Sequence, residues 1–236
     1  MKYSIKINEV KSEDSQVKGF ATITFGDELV VRNIAIVEKK DTGELFVSMP
    51  SHRTNDVTEK GEPIYRDICN PITKEFYEEL TKNILTAFDQ RKELSGRDIS
   101  FGEDPEGLGV PFAVKVSPIE REDSSLKGIG RIYVNDVFVI SNVRLIEGKN
   151  GMFISMPDYR TEKYKDGKPI YREIVFPITK EFRDKLYGEF EKSYAEERAK
   201  ARKEDAMTQQ VPEKTQDKPA KKAKSEDKEK EPAMAR

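Results

Sequence analysis

The stretch "PIYRDICNPITKEF", residues 63–76, returns as "PIYREIVFPITKEF" at residues 169–182. In each copy a short strand-like run, "IYRDI" or "IYREI", is followed by a proline. Proline lacks the N–H that a ladder bond needs, so Pro71 and Pro177 end the strand. Helix signals follow at once. Thr73 and Thr179 are good N-caps, and Glu75 and Glu181 put a carboxylate in the first turn, where it complements the helix dipole. Phe76, Leu80, Ile84 and Phe88 then recur every four residues as an apolar stripe, repeated by Phe182, Leu186 and Phe190. One string therefore specifies the end of a sheet and the start of a helix, twice.

The recurrence extends well beyond this string. "YSIKINEVKSEDSQVKGFATITF" (3–25) aligns with "FAVKVSPIEREDSSLKGIGRIYV" (112–134), and "LFVSMPSHRT" (45–54) with "MFISMPDYRT" (152–161). A period this long is a duplicated domain, not a solenoid unit. Within a copy, Tyr3, Ile5 and Ile7 alternate with Ser4, Lys6 and Asn8, the period of a strand. A polar turn leads to a second alternating run ending near Phe25, so the two form a hairpin. Leu29–Val37 is β-branched and predicts a buried third strand. Leu45–Met49 and "IYRDI" complete about five. The predicted class is α+β: two similar domains, each an antiparallel sheet followed by one helix. Boundaries fall at 1–90, a linker at 91–110, 111–194, and a charged helical extension or disordered tail at 195–236. The Gly- and Pro-bearing segment 91–111 reads as a flexible bridge. It lets the small halves dock as an intramolecular pseudo-two-fold dimer.

Composition narrows the function classes. The chain has 42 basic and 44 acidic residues, of which 12 and 10 lie in 195–236. The body is left with 30 basic and 34 acidic residues, so nucleic-acid contact there needs a local basic patch rather than overall charge. The tail holds almost no large apolar residue and cannot offset its ordering entropy. The single cysteine, Cys69, excludes an internal disulfide and a cysteine-based zinc site, and fits a reducing cytoplasm. No secretion signal is apparent at the start of the chain, and no apolar run nears the roughly 20 residues of a membrane span. A cytoplasmic protein without membrane contact is expected. No Ser–His–Asp set, Gly-rich phosphate loop or metal spacing is present, so neither an enzyme nor a cofactor is expected.

Both copies resemble the stage V sporulation protein G (SpoVG) family. The resemblance rests on Ser48-Met49-Pro50-Ser51-His52-Arg53-Thr54 with Tyr65-Arg66-Asp67-Ile68 and Pro71-Ile72, and on Ser155-Met156-Pro157-Asp158-Tyr159-Arg160-Thr161 with Tyr171-Arg172-Glu173-Ile174 and Pro177-Ile178. The runs "VVRNIAIVE" and "VISNVRLIEG" resemble the family too. Asp158 and Glu173 stand where the family has Ser and Asp. The resemblance implies a small bacterial cytoplasmic protein that dimerises through this domain. It further implies a DNA- and RNA-binding regulator linked to septation and sporulation, with basic residues around the helix implicated.

The candidate cations fall into two groups. Arg53 and Arg160 follow the Met-Pro turn at the start of a loop. Each either contacts phosphate through its guanidinium or pins the loop to an acid such as Asp67 or Glu173. Lys74, Lys82, Arg91 and Lys92 lie on or just beyond the first helix. Lys180, Arg183, Lys185, Lys192, Arg198, Lys200, Arg202 and Lys203 do so for the second. Such positions are either a solvated helix face or a phosphate-binding arm. Arg66 and Arg172 read as cross-strand partners, and Tyr65 and Tyr171 as packing or base-stacking groups. His52 has no counterpart in the second copy and reads as a surface residue. Cys69 faces Val175 in the alignment and reads as a small buried hydrophobe. The expected partner is DNA or RNA. The alternative is a protein-interaction module that uses sheet edges and the charged tail, and self-association beyond the internal pseudo-dimer stays open.

Overall fold

The computed structural model describes residues 1–208 except 13, 105, 106, 108 and 122. Residues 209–236, where most of the expected disordered tail falls, lie outside the described residues. The first half comprises β1 (Tyr3–Glu9), β2 (Val17–Phe25), β3 (Leu29–Glu38), β4 (Leu45–Ser48), β5 (Ser51–Val57), β6 (Pro63–Asp67), β7 (Cys69–Pro71) and α1 (Lys74–Asp89). The bridge carries a one-turn helix, α2 (Arg91–Leu94), and β8 (Ile99–Phe101). The second half repeats the order as β9 (Phe112–Pro118), β10 (Leu126–Val134), β11 (Phe138–Gly148), β12 (Gly151–Ser155), β13 (Asp158–Lys165), β14 (Lys168–Glu173), β15 (Val175–Pro177) and α3 (Lys180–Thr208). Met1–Lys200 form one compact unit, and Ala201 onward belong to a second.

The α+β class and the two-half organisation are as the sequence predicts, but among the described residues each half has seven strands rather than about five. The difference comes from "IYRDI" and its neighbours. Its first part is β6, which pairs with β5 as a separate hairpin in register Ser51–Asp67, His52–Arg66 and Arg53–Tyr65. At Ile68 the chain bends, and Cys69–Pro71 becomes β7. That strand joins the other half's sheet, with Cys69 opposite Ile140 and Pro71 opposite Phe138 on β11. Conversely β15 joins the first half, with Val175 opposite Val31 and Pro177 opposite Leu29 on β3. The two halves thus exchange their last strands reciprocally. This is the physical form of the predicted pseudo-two-fold dimer.

One residue in each half holds the crossover through both of its backbone groups. The Ile68 N–H donates to Pro50 O of its own half at 2.8 Å, while its carbonyl accepts from Ser141 N of the other at 2.7 Å. Ile174 does the same: its N–H donates to Pro157 O at 2.7 Å, and its carbonyl accepts from Arg32 N at 2.9 Å. Both side chains are buried.

A bulge makes room for the visiting strand. Asn33 and Asn142 have φ of 66° and 60° in mid-strand, a left-handed conformation that asparagine tolerates better than most residues. The β2–β3 and β10–β11 registers both shift there. The bulge divides β3 in two: Leu29–Val31 receive β15, and Ala35–Glu38 receive β4. β11 is divided in the same way between β7 and β12.

The helices cover the inner faces of the sheets. Thr73 and Thr179 cap them as expected, accepting from Phe76 N at 3.3 Å and Phe182 N at 3.1 Å. The stripe Phe76, Leu80, Ile84 and Phe88 is buried, as are Phe182, Leu186 and Phe190. Each such side chain stabilises the fold by about 1.5–3 kcal/mol on full burial. The halves fill the same space differently. Phe190 lies against Gly130, where a Cβ would sit only 2.2 Å from its ring. The aligned positions of the first half hold Ile84 and Ala21. A ring gained on the helix is offset by a methyl lost on the strand, which keeps packing density near constant. The core is continuous across the halves, with Phe25 and Phe138 ring centroids 5.2 Å apart.

Candidate nucleic-acid interface

Arg53 and Arg160 do not begin loops. They sit inside strands β5 and β13 of two-stranded ribbons, where both are exposed, whereas His52, Thr54, Tyr159 and Thr161 on the opposite face are half-buried. Neither pairs with the acid named from sequence. Arg53 stands opposite Tyr65, and Arg160 opposite Tyr171. Directly opposed residues share a face, so each ribbon presents an Arg–Tyr pair. Tyr65 is 59% exposed and Tyr171 57% exposed, so both rings are unusually open to solvent. On the other faces His52 opposes Arg66 and Tyr159 opposes Arg172. The cross-strand role expected of Arg66 is present, since it lies 3.7 Å from Asp56 within its own hairpin. Arg160 donates to the Tyr164 hydroxyl and lies over that ring.

The ribbons are not electrically alike. The first (51–67) carries Arg53, Lys60 and Arg66 against Asp56, Glu59, Glu62 and Asp67. The second (158–173) carries Arg160, Lys163, Lys165, Lys168 and Arg172 against Asp158, Glu162, Asp166 and Glu173. Asp158 is in turn held by Arg144 at 3.1 Å.

Of the helix cations, several already have partners. Lys74 lies 3.7 Å from Glu78, Lys192 3.9 Å from Glu189, and Lys200 2.7 Å from Glu197. Arg91 is bound to Glu9 at 2.6 Å and stacks over Phe88. Arg198 reaches Glu120 at 3.4 Å, and Lys185 sits over the Phe112 ring at 5.4 Å. Lys82, Lys92, Lys180 and Arg183 are exposed, with no ion pair among the described residues, and so is Arg53. Arg202 and Lys203 are exposed on the last turns of α3, within the second unit. Exposed pairs of this kind stabilise little and give way readily to phosphate.

Cys69 is fully buried on β7, and burial pushes its thiol up from the ordinary range. It behaves as the small hydrophobe its alignment with Val175 suggests. The hairpins themselves left weak sequence signals. A ribbon whose half-buried face is mostly polar has no apolar alternation. "DG" at Asp166-Gly167, both with positive φ, is the one strong turn signal, and it marks the β13–β14 connection. No helix among the described residues is long and apolar enough to cross a membrane.

The SpoVG family model matches residues 1–90 and 111–196, one domain in each half. Among curated proteins, the chain is similar to three bacterial proteins each named "Putative septation protein SpoVG". With that of Macrococcus caseolyticus it shares 38% identity over 77 residues, covering 33% of this chain and 63% of the relative. With that of Treponema denticola it shares 32% over 98 residues, covering 40% and 97%. With that of Acholeplasma laidlawii it shares 38% over 74 residues, covering 31% and 73%. Each relative therefore corresponds to about one half of this chain. The match in both halves, over the strands and helix that build the exchanged fold, places the chain in the SpoVG family as a tandem of two of its domains.

Proposed function

We propose that the protein is a non-catalytic, nucleic-acid-binding regulator of the SpoVG type, acting in septation or sporulation. The observation that carries this reading is the Arg–Tyr pair repeated on the two exposed ribbons, Arg53 with Tyr65 and Arg160 with Tyr171. A guanidinium fork binds phosphate, and an open phenol ring stacks on a base without regard to its identity. A two-stranded ribbon also has the width of a major groove. Lys82, Lys92, Lys180 and Arg183, with the paired cations of the helices, supply the non-specific phosphate attraction that extends the footprint.

Gel-shift titration with single- and double-stranded DNA and RNA tests the proposal. Binding should weaken with salt at a log–log slope of about −0.9 per phosphate contacted on duplex DNA. The double variant Arg53→Glu/Arg160→Glu should remove it. No affinity at low salt for any of these polymers would refute the reading. Loss of binding only on Lys200→Glu/Arg202→Glu/Lys203→Glu would move the interface from the ribbons to the end of α3.

A further inference from the structure

The two halves differ at one sheet edge. In the first half, β1 is covered by β8, with Tyr3 opposite Phe101, Ser4 opposite Ser100 and Ile5 opposite Ile99. The Phe101 ring stacks on Tyr3 at 5.7 Å and 27°. Tyr3 is 1% exposed and Ile5 0%. In the second half the equivalent strand, β9, ends its sheet, and among the described residues no strand pairs with its outer side. Phe112 and Val114, which align with Tyr3 and Ile5, are only half-buried.

The open stretch has defined ends and polarity. Val116 N is taken by Ser193 Oγ of α3 at 3.0 Å, which closes the strand beyond that point. That bond also fixes the parity: Val116 directs its amide outward, so Val114 and Phe112, two and four residues before it, do the same. The gap is therefore three residues long, the length of β8. A shallow hollow lined by Pro111, Phe112, Ala113, Tyr133 and Asn135 adjoins it. Charge continues the correspondence. Lys6 lies 4.0 Å from Asp98, the residue before β8. Lys115 is the counterpart of Lys6 and is exposed. Lys185 adds a second cation over the Phe112 ring.

We infer that the outer edge of β9 is a docking site for an extended peptide of a protein partner. The peptide adds as an antiparallel strand and carries an acid, an aliphatic residue, a small residue and an aromatic residue in that order. The aromatic residue stacks on Phe112, the aliphatic one lies opposite Val114, and the acid meets Lys115. Backbone bonds to Phe112 and Val114 supply the attraction, and the alternate side chains supply the selection. The chain's own segment Asp98-Ile99-Ser100-Phe101 is the pattern, read off the half in which the seat is filled. This inference is independent of nucleic-acid binding.

A fluorescein-labelled peptide of residues 97–102, Arg-Asp-Ile-Ser-Phe-Gly, is titrated with the full chain and followed by anisotropy. Saturable binding is expected at peptide and protein concentrations up to about 1 mM, the range of a short strand with two anchors. Val114→Pro removes an outward N–H while sparing the ladder to β10, as proline on an edge does, and should abolish binding. Should that variant fail to fold, the charge swap decides. Lys115→Glu should weaken the native peptide severalfold and strengthen a peptide with lysine in place of the aspartate. Absence of saturable binding, or binding insensitive to both changes, overturns the proposal. Concentration-dependent dimers of the chain that Val114→Pro converts to monomers would also overturn it, since the occupant would then be a second copy.

Discussion

The buried phenol of Tyr3 donates to Glu79 Oε1 at 2.9 Å, and the aligned pair in the second half is Phe112 beneath the ammonium of Lys185. The same strand–helix contact is made by a hydrogen bond in one half and by a cation over a ring in the other. Asn83 completes the first arrangement, donating to the Tyr3 hydroxyl at 2.8 Å. Both place an aromatic ring between strand and helix, but Tyr3 is buried and Phe112 only half-buried, so they are not interchangeable. Tyr3→Phe strands Glu79 and Asn83 beside an apolar ring. It should lower stability by about 0.5–1.5 kcal/mol, measured by urea unfolding.

Burial raises Tyr3 above its ordinary 10.0 and Cys69 above its ordinary 9.0. Both stay protonated in the fold where the unfolded chain has ionised them. Stability present below those ordinary values is therefore lost as pH rises above about 9. Cys69→Val mimics Val175 at the equivalent place. It should leave stability at pH 7 nearly unchanged and make the alkaline decline shallower in unfolding curves taken from pH 7 to 10.5. An unchanged decline would show that Cys69 is not sequestered on β7.

The left-handed conformation of Asn33 and Asn142 lets β3 and β11 each accept two partners along one edge. Asn33→Val places a β-branched residue there and should cost about 1–2 kcal/mol, with the equivalent loss at Asn142. Asn33→Gly should cost far less, because glycine adopts that conformation freely. Equal costs for Val and Gly would mean that the side-chain amide, not the backbone, is what the bulge requires.

The two ribbons differ in charge, so they should contribute unequally to nucleic-acid binding. Arg160→Glu should reduce affinity more than Arg53→Glu in gel-shift assays at one salt concentration. Tyr65→Ala and Tyr171→Ala should each cost about 1–3 kcal/mol on single strands, the worth of a stacked base. Equal loss from both arginines would argue that the ribbons act as one symmetric clamp.

Much of the fold is legible in the residues themselves. Duplication, caps, strand stops and the apolar stripe are local signals, and the structure realises them where Thr73, Pro71 and Phe76 stand. The strand exchange is not local. Cys69-Asn70-Pro71 has the same strand character whichever sheet it joins, and only three-dimensional competition between two nearly identical edges decides. The ribbons escaped because the half-buried face of "SHRTNDV" and "DYRTEKYK" is mostly polar, carrying His52, Thr54, Tyr159 and Thr161, which removes the apolar period-two signature. β8 escaped because Ile99-Ser100-Phe101, although it alternates, is too short a run to signal a strand. The candidate cations are chosen by residue type alone, and that Arg53 and Arg160 face tyrosines rather than acids depends on the register of the hairpins.

The reciprocal exchange is the central claim, and one substitution tests it. Ile140→Cys places a thiol directly opposite native Cys69, in the non-hydrogen-bonded position where cross-strand side chains are closest. The full chain is refolded in a glutathione redox buffer at pH 8.5, and free thiols are then counted by mass spectrometry after alkylation in denaturant. Exchange predicts one intramolecular disulfide and no alkylated cysteine. Two alkylated cysteines in a monomeric, folded chain would show that β7 stays with its own half.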